Sequence, residues 1–528
     1  EENLGFLANS DFESESFKFG ASTTGDWGYL GASMSSIESM YGIPYHGEGH
    51  GGHGDEHGDE HSDEEEGHDE HEGERIFSST DSEKFDFRGS FNLSGKLVNK
   101  VDFFVRDTDY LFTEQHAEEA HEEEEHHDED EDHDEHEGHS EGPTTFTNDA
   151  IEAGAIFDFS NSIVSQKFAI NFVNEDTAVI GAEAFMTPAS RDELTFGYYL
   201  SRSFDSFDLD FGVRYDMIDN EGSIVSEHHD EEEHHDEDED HEEEDHDEHE
   251  ESEVAYYDQS FKNSSIALNI GRELNDFLSV DFGFSSVERA PSTTEMFMNG
   301  AHLATARFEV GNVNLNSETS NNIDLTLNMK NGSFFAKATV FMNDVDNYIY
   351  LQDETEEEHE EHDEEHEEGH DDHGGLILAN YLQQDAELDG YEIEFGNTME
   401  VGSGNLTLSF GRDEISGEFS SGGNIPRLNP ARNIFKLKYS QDNTIFGLTF
   451  KDVEKQNDIG LAETNTDGYQ MLNAKLSRSF DFGGQGDLTV SLFGNNLLDE
   501  IARNHASYVK TQVPLPGRNY GIRFNLTF

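Results

Sequence analysis

Phe207-Asp208-Leu209-Asp210-Phe211-Gly212-Val213-Arg214-Tyr215 decides the fold. Every second residue is large and apolar, and Asp, Gly and Arg fill the places between. A period of two gives an extended strand one apolar and one polar face, whereas a helix would space its apolar residues by three and four. The pattern returns in Phe85, Phe87, Phe91 and Leu93, and again in Ile522, Phe524, Leu526 and Phe528 at the end of the sequence. Working outward, alternating segments of about ten residues predict some nineteen strands. They fall near 15–22, 26–37, 83–93, 100–112, 147–158, 163–173, 191–203, 207–217, 254–270, 276–286, 318–329, 333–349, 380–397, 404–412, 431–440, 443–453, 467–480, 486–497 and 518–528. They carry most of the 41 Phe and 17 Tyr, and the whole sequence has only 8 Pro. Turns such as Lys330-Asn331-Gly332-Ser333 and Gly483-Gly484-Gln485-Gly486 join some of them, and long polar loops join others.

The formal charge of −89, from 119 acidic and 30 basic residues, is concentrated. Four tracts at 46–74, 114–141, 227–253 and 353–373 hold 62 of the acids and no Lys or Arg, which leaves 57 acids against 30 bases in a body of ordinary character. An acidic surface repels phosphate, so nucleic acid is excluded as a partner. With no cysteine there is no disulfide framework, thiolate metal site or thiol nucleophile. No apolar run approaches the ~18 residues of a membrane-spanning helix, and Glu1–Ser10 lacks the features of a signal peptide. Two architectures remain. A soluble all-β sandwich array or propeller needs a second sheet over each apolar face, and no blade-length repeat supplies one. A membrane β-barrel needs lipid there instead. With Phe528 placed on the periplasmic side, every short turn falls on that side and all four acidic tracts fall outside the cell, the rhythm of an outer-membrane barrel.

Specific segments narrow this further. Glu288-Arg289-Ala290-Pro291-Ser292, Thr294-Glu295-Met296-Phe297 and Phe308-Glu309-Val310-Gly311-Asn312-Val313-Asn314-Leu315 resemble an extracellular-loop signature of the TonB-dependent receptors. Asn495-Asn496-Leu497-Leu498-Asp499 through Pro516-Gly517-Arg518-Asn519-Tyr520 to Phe528 resembles their terminal hairpin. Tyr41-Gly42-Ile43-Pro44 leading into a His-rich loop, Gly181-Ala182-Glu183-Ala184-Phe185 and Asn299-Gly300-Ala301-His302 are similar to stretches of the zinc-uptake members. The resemblance implies an all-β fold, a transmembrane antiparallel β-barrel of the 22-stranded type, in the outer membrane of a Gram-negative bacterium. It also implies that residues 1–528 form one barrel domain in contact with lipid, a fragment lacking about three strands, a plug, a TonB box and a signal peptide. The partner that drives transport would be the TonB complex, engaged through that N-terminal region.

The metal chemistry comes from the residues themselves. The tracts hold 26 of the 28 histidines, and no Cys or Met. Among them are His46, His50, His53 and His57; His126, His127, His133 and His136; His228, His229, His234 and His235; and His359, His362, His366 and His370. Imidazole with carboxylate suits zinc, while soft sulfur ligands favour copper(I). Loops made only to be solvated need carboxylates alone. The tracts read as a metal-gathering antenna whose capture weakens as pH falls below about 6.5, where imidazole protonates. A selective site needs fixed ligands, and only His302 and His505 lie outside the tracts. The resemblance adds Glu183 as their carboxylate partner, gives Glu295 a loop-holding role, and implies that plug residues complete the site. No paired acid and base or phosphate loop suggests an enzyme, and no catalytic cofactor is expected. Zinc import is the expectation; haem, nickel or cobalt uptake, and a passive metal-buffering or interaction role, are the alternatives.

Overall fold

The computed structural model describes residues 9–44, 76–93, 95, 97–116, 142–181, 184–226, 253–355, 376–483 and 486–528. The chain forms β1 (Phe12–Gly25), β2 (Gly28–Gly42), β3 (Ile76–Asn92), β4 (Lys100–His116), β5 (Thr144–Asp158), β6 (Ser165–Ile180), β7 (Ala189–Ser203), β8 (Asp208–Ser226), β9 (Glu253–Asn275) and β10 (Leu278–Arg289). A short helix α1 (Thr293–Phe297) follows, then the small strands β11 (Asn299–His302) and β12 (Arg307–Val310). The rest is β13 (Glu318–Asn331), β14 (Phe334–Asp353), β15 (Ile377–Val401), β16 (Gly404–Phe419), β17 (Arg432–Gln441), β18 (Thr444–Val453), β19 (Tyr469–Asp481), β20 (Asp487–Asn495) and β21 (Asn519–Thr527).

Among the described residues, leaving β11 and β12 aside, nineteen strands form one antiparallel ladder in which each pairs with the next in sequence, β10 pairing directly with β13. This is the number the alternation predicts. β11 and β12 make a separate hairpin, whose β12 adds in parallel to the first residues of β15.

The side chains explain why one sheet suffices. On β13, Ile323, Leu325 and Leu327 are exposed, while Asn322, Asp324, Thr326 and Asn328 face the other way. The polar row is bonded across strands, Thr326 to Thr339 at 2.9 Å and Asn328 to Asp281 at 2.9 Å. The same inversion holds at Val340 and Met342 on β14, and Ile522, Phe524 and Leu526 on β21 are likewise exposed. A water-soluble sheet would bury these apolar faces; a sheet whose apolar face meets lipid leaves them outside and keeps polar groups within. A sandwich or propeller is thereby excluded.

Antiparallel pairing sorts the connections to two ends. Tight turns such as Asn331 to Phe334 and Val401 to Gly404 lie at one end, where Gly332 and Gly402 take φ of 60° and 63° that a side chain would resist. The strands bounding all four acidic tracts finish at the other end, together with the 290–317, 454–468 and 496–518 connections. The long strands β9 and β15, of 23 and 25 residues, exceed the ~9–11 needed to cross a membrane. Loops from well-separated strands meet at this outer end: Arg427 binds Asp353, and Gln352 donates to the Leu461 carbonyl. The sheet is therefore curved into a wall around a lumen. Two small apolar clusters lie among these loops, one built on Phe185, Met296 and Phe297, the other on Tyr350, Phe419 and Ile425.

Candidate metal site at the outer mouth

The connection between β10 and β13 is anchored before it carries chemistry. Ser292 caps α1, its hydroxyl accepting the Glu295 N–H at 3.1 Å while the Glu295 carboxylate accepts the Ser292 N–H at 2.8 Å. That carboxylate also takes two hydrogen bonds from Arg289, at 3.1 and 2.9 Å. The Pro291 carbonyl accepts from Arg191 at 3.1 Å and Asn220 at 3.0 Å, and Met296 and Phe297 are fully buried. Glu295 holds the loop.

From this platform β11 presents His302. Its Nδ1 lies 2.9 Å from Glu309 Oε1, the Thr305 hydroxyl is 2.8 Å from the same oxygen, and its ring stacks on Phe185 with centroids 4.7 Å apart. Phe185 is held in turn, its carbonyl accepting the Asn299 N–H at 2.7 Å. The imidazole is 24% exposed and the Glu309 carboxylate 4%, so a buried carboxylate stands behind a partly exposed ring. Glu183 and all the tract histidines named above lie outside the described residues. Phe185, two positions after Glu183 in sequence, is the residue that stacks on His302.

His505 is in a different cluster. Its side chain is 1% exposed, Nδ1 is 2.7 Å from the Thr466 hydroxyl, and Nε2 is 2.9 Å from Glu463 Oε1 but off the line of a hydrogen bond. Glu463 also accepts from Lys510 Nζ and from the N–H groups of Gly460 and Arg427. Burial would raise this carboxyl, but the close approach of His505 and the bonds from Gly460, Lys510 and Arg427 outweigh it and hold the pKa at about 2. Both ring nitrogens of His505 thus face protein partners, and the structure does not bring it together with His302.

Between the two histidines sits a charged bolt that the sequence reading missed. Arg307 clasps Asp353 at 2.8 and 2.7 Å, Arg427 reaches the same carboxylate at 3.0 and 3.1 Å, and both guanidinium groups lie over the Tyr508 ring at 4.5 and 4.0 Å. Burial pushes the Tyr508 phenol up, against the pull of Arg427. Asp353 reads in sequence as the first acid of the fourth tract; it is the buried last residue of β14. Glu114 and Glu253, at the edges of the second and third tracts, likewise belong to β4 and β9. Glu309 was hidden in the loop signature. Among the described residues no three His, Asp or Glu side chains converge as a closed metal site.

The family described as TonB dependent receptor-like, beta-barrel matches residues 11–497. The chain belongs to the TonB-dependent receptors. Three solved receptor structures share its fold at 12% identity: the copper transporter OprC, with TM-score 0.68 over 98% of this chain and 73% of that one; the FrpB iron transporter from Neisseria meningitidis, with 0.63 over 99% and 73%; and the Serratia marcescens hemophore receptor HasR in complex with HasA and heme, with 0.62 over 98% and 72%. TonB-dependent receptors are outer-membrane proteins of Gram-negative bacteria, and the family is one of receptors and transporters rather than enzymes. The exposed apolar strand faces are the lipid contact of such a receptor. His302 and Glu309 stand at the end opposite the tight turns, where the strands flanking the four tracts finish.

Proposed function

We propose that this receptor imports zinc, gathering it on the four tracts and selecting it at a mouth site that includes His302, with transport driven through the TonB complex. The observation that carries the reading is the segregation of 26 of 28 histidines, with carboxylates and without sulfur ligands, into connections at the single end where His302 stands. Neutral imidazole and carboxylate are borderline-to-hard ligands suited to zinc. His302 is 24% exposed and supplies one donor, so further ligands, Glu183 or others elsewhere in the protein, would complete the site. The names of the similar structures, copper, iron and heme, belong to those proteins. Nickel and cobalt share the ligand preference, so the test is competitive. Calorimetry of the refolded chain with zinc, nickel, copper(II) and haem is repeated on His302→Ala and on a form lacking all four tracts. Many weak zinc sites that vanish with the tracts, plus one tighter site lost in His302→Ala, support the reading. Haem binding that depends on His302 and ignores the tracts overturns it.

A further inference from the structure

β12 is held on both sides, antiparallel to β11 and parallel to β15, with Glu309 opposite Gly300 on one flank and Ala379 on the other. A backbone fixed by two ladders cannot retreat, so the Glu309 carboxylate has a set position. The register places His302 opposite Arg307, two residues from Glu309, within diagonal cross-strand reach of a long side chain. The result is a 2.9 Å contact from Glu309 Oε1 to His302 Nδ1.

An ionised carboxylate only accepts hydrogen bonds, so the ring nitrogen facing it carries the proton. A neutral His302 then has its lone pair on Nε2. Phe185 lies against the ring plane and restricts its rotation, and Gly300 permits that approach, since a Cβ there would meet Phe185 Cα at 2.9 Å. Carboxylates behind metal-binding imidazoles act in this way elsewhere, fixing the tautomer and raising the basicity of the ligating nitrogen.

We infer that Glu309 is a positioning residue that makes His302 Nε2 the metal-ligating atom of the mouth. The inference rests on the reading of His302 as a ligand. It adds a buried carboxylate that acts through that histidine without touching the metal.

The test is a double-mutant cycle on the full chain refolded in detergent micelles, with zinc set by a chelating buffer so that weak tract sites stay empty. Glu309→Ala is expected to weaken the tight site by about 10- to 100-fold. Glu309→Gln, whose amide oxygen still accepts the Nδ1 proton, is expected to restore part of that loss. In a His302→Ala background, removal of Glu309 is expected to cost nothing more, because its effect passes through the ring. The isosteric Gln variant also serves if the Ala variant fails to fold. If His302→Ala weakens the site while both Glu309 variants bind as the parent does, the inference falls and the zinc site stands. An additive loss in the double variant also overturns it, since Glu309 would then act independently. If His302→Ala itself changes nothing, the site reading fails and takes this inference with it.

Discussion

Asp353→Asn separates a loop bolt from a tract acid. In sequence Asp353 opens a run of fourteen acids between 353 and 373, where the loss of one charge should pass unnoticed. In the structure it neutralises two guanidinium groups, with side-chain exposures of 7% for Arg307, 10% for Asp353 and 17% for Arg427. Water screens such a cluster weakly, and removing one partner of a buried pair costs about 3–5 kcal/mol. Asparagine keeps one acceptor, so the lower end applies, and about 3 kcal/mol corresponds to roughly a 100-fold larger population of the undocked β11–β12 hairpin. Undocking frees Arg307, a trypsin site. When the hairpin recloses faster than trypsin cuts, cleavage after Arg307 tracks that population. The assay is timed digestion of the refolded chain with mass spectrometry of the fragment ending at Arg307. The tracts contain no Lys or Arg and stay silent. Asp363→Asn, the same charge loss within the tract, should leave the rate unchanged. Cleavage of Asp353→Asn at the parent rate would refute the bolt, and with it the argument that the outer loops are clamped through Asp353.

Gly300→Ala should displace Phe185 from the His302 ring, because the added Cβ meets Phe185 Cα at 2.9 Å and Cβ at 3.0 Å. A tight zinc site of parent strength in that variant would show that the stacking is incidental. Glu463 gives a pH dependence of known sign. Its folded pKa of about 2 lies below the ordinary 4.5, so its contribution is complete above pH 4.5 and drains away as pH falls toward 2. Pepsin cleavage within 454–468 should rise across that window in the parent and be already high in Glu463→Gln at pH 4.5; parallel profiles would dismiss the network around His505 and Lys510. Deleting all four tracts should slow uptake at scarce zinc and spare it at ample zinc, measured as zinc accumulated by cells making each form. Equal loss at both concentrations contradicts an antenna.

The ladder was legible because lipid and lumen impose one contrast on every strand. Phe207 to Tyr215 states it, β13 repeats it, and nineteen strands follow from counting it. What the alternation missed were the outer extensions, such as β8 running to Ser226 rather than 217 and β15 starting at Ile377 rather than 380. Beyond the membrane both faces are wet or packed on loops, and the contrast disappears. The site fails to show in sequence for another reason. His302 meets Phe185, Arg427 meets Asp353 across 74 residues and Gln352 meets Leu461 across 109, contacts created by the curl of the sheet with no local trace. His505 was marked by its scarcity outside the tracts, yet scarcity gives no sign of the Thr466 and Glu463 side chains that face its two ring nitrogens. Glu309 is the instructive case. Arg307-Phe308-Glu309-Val310 alternates polar with apolar as the membrane strands do, but here Arg307 and Glu309 are the buried pair, at 6% and 3% exposure. Polar side chains sharing the inward face of so short a strand must have hydrogen-bond partners, since a buried polar group left without one is costly. For Arg307 that partner is Asp353; for Glu309 it is the histidine two places across the hairpin, and this demand is what ties the metal site to the bolt.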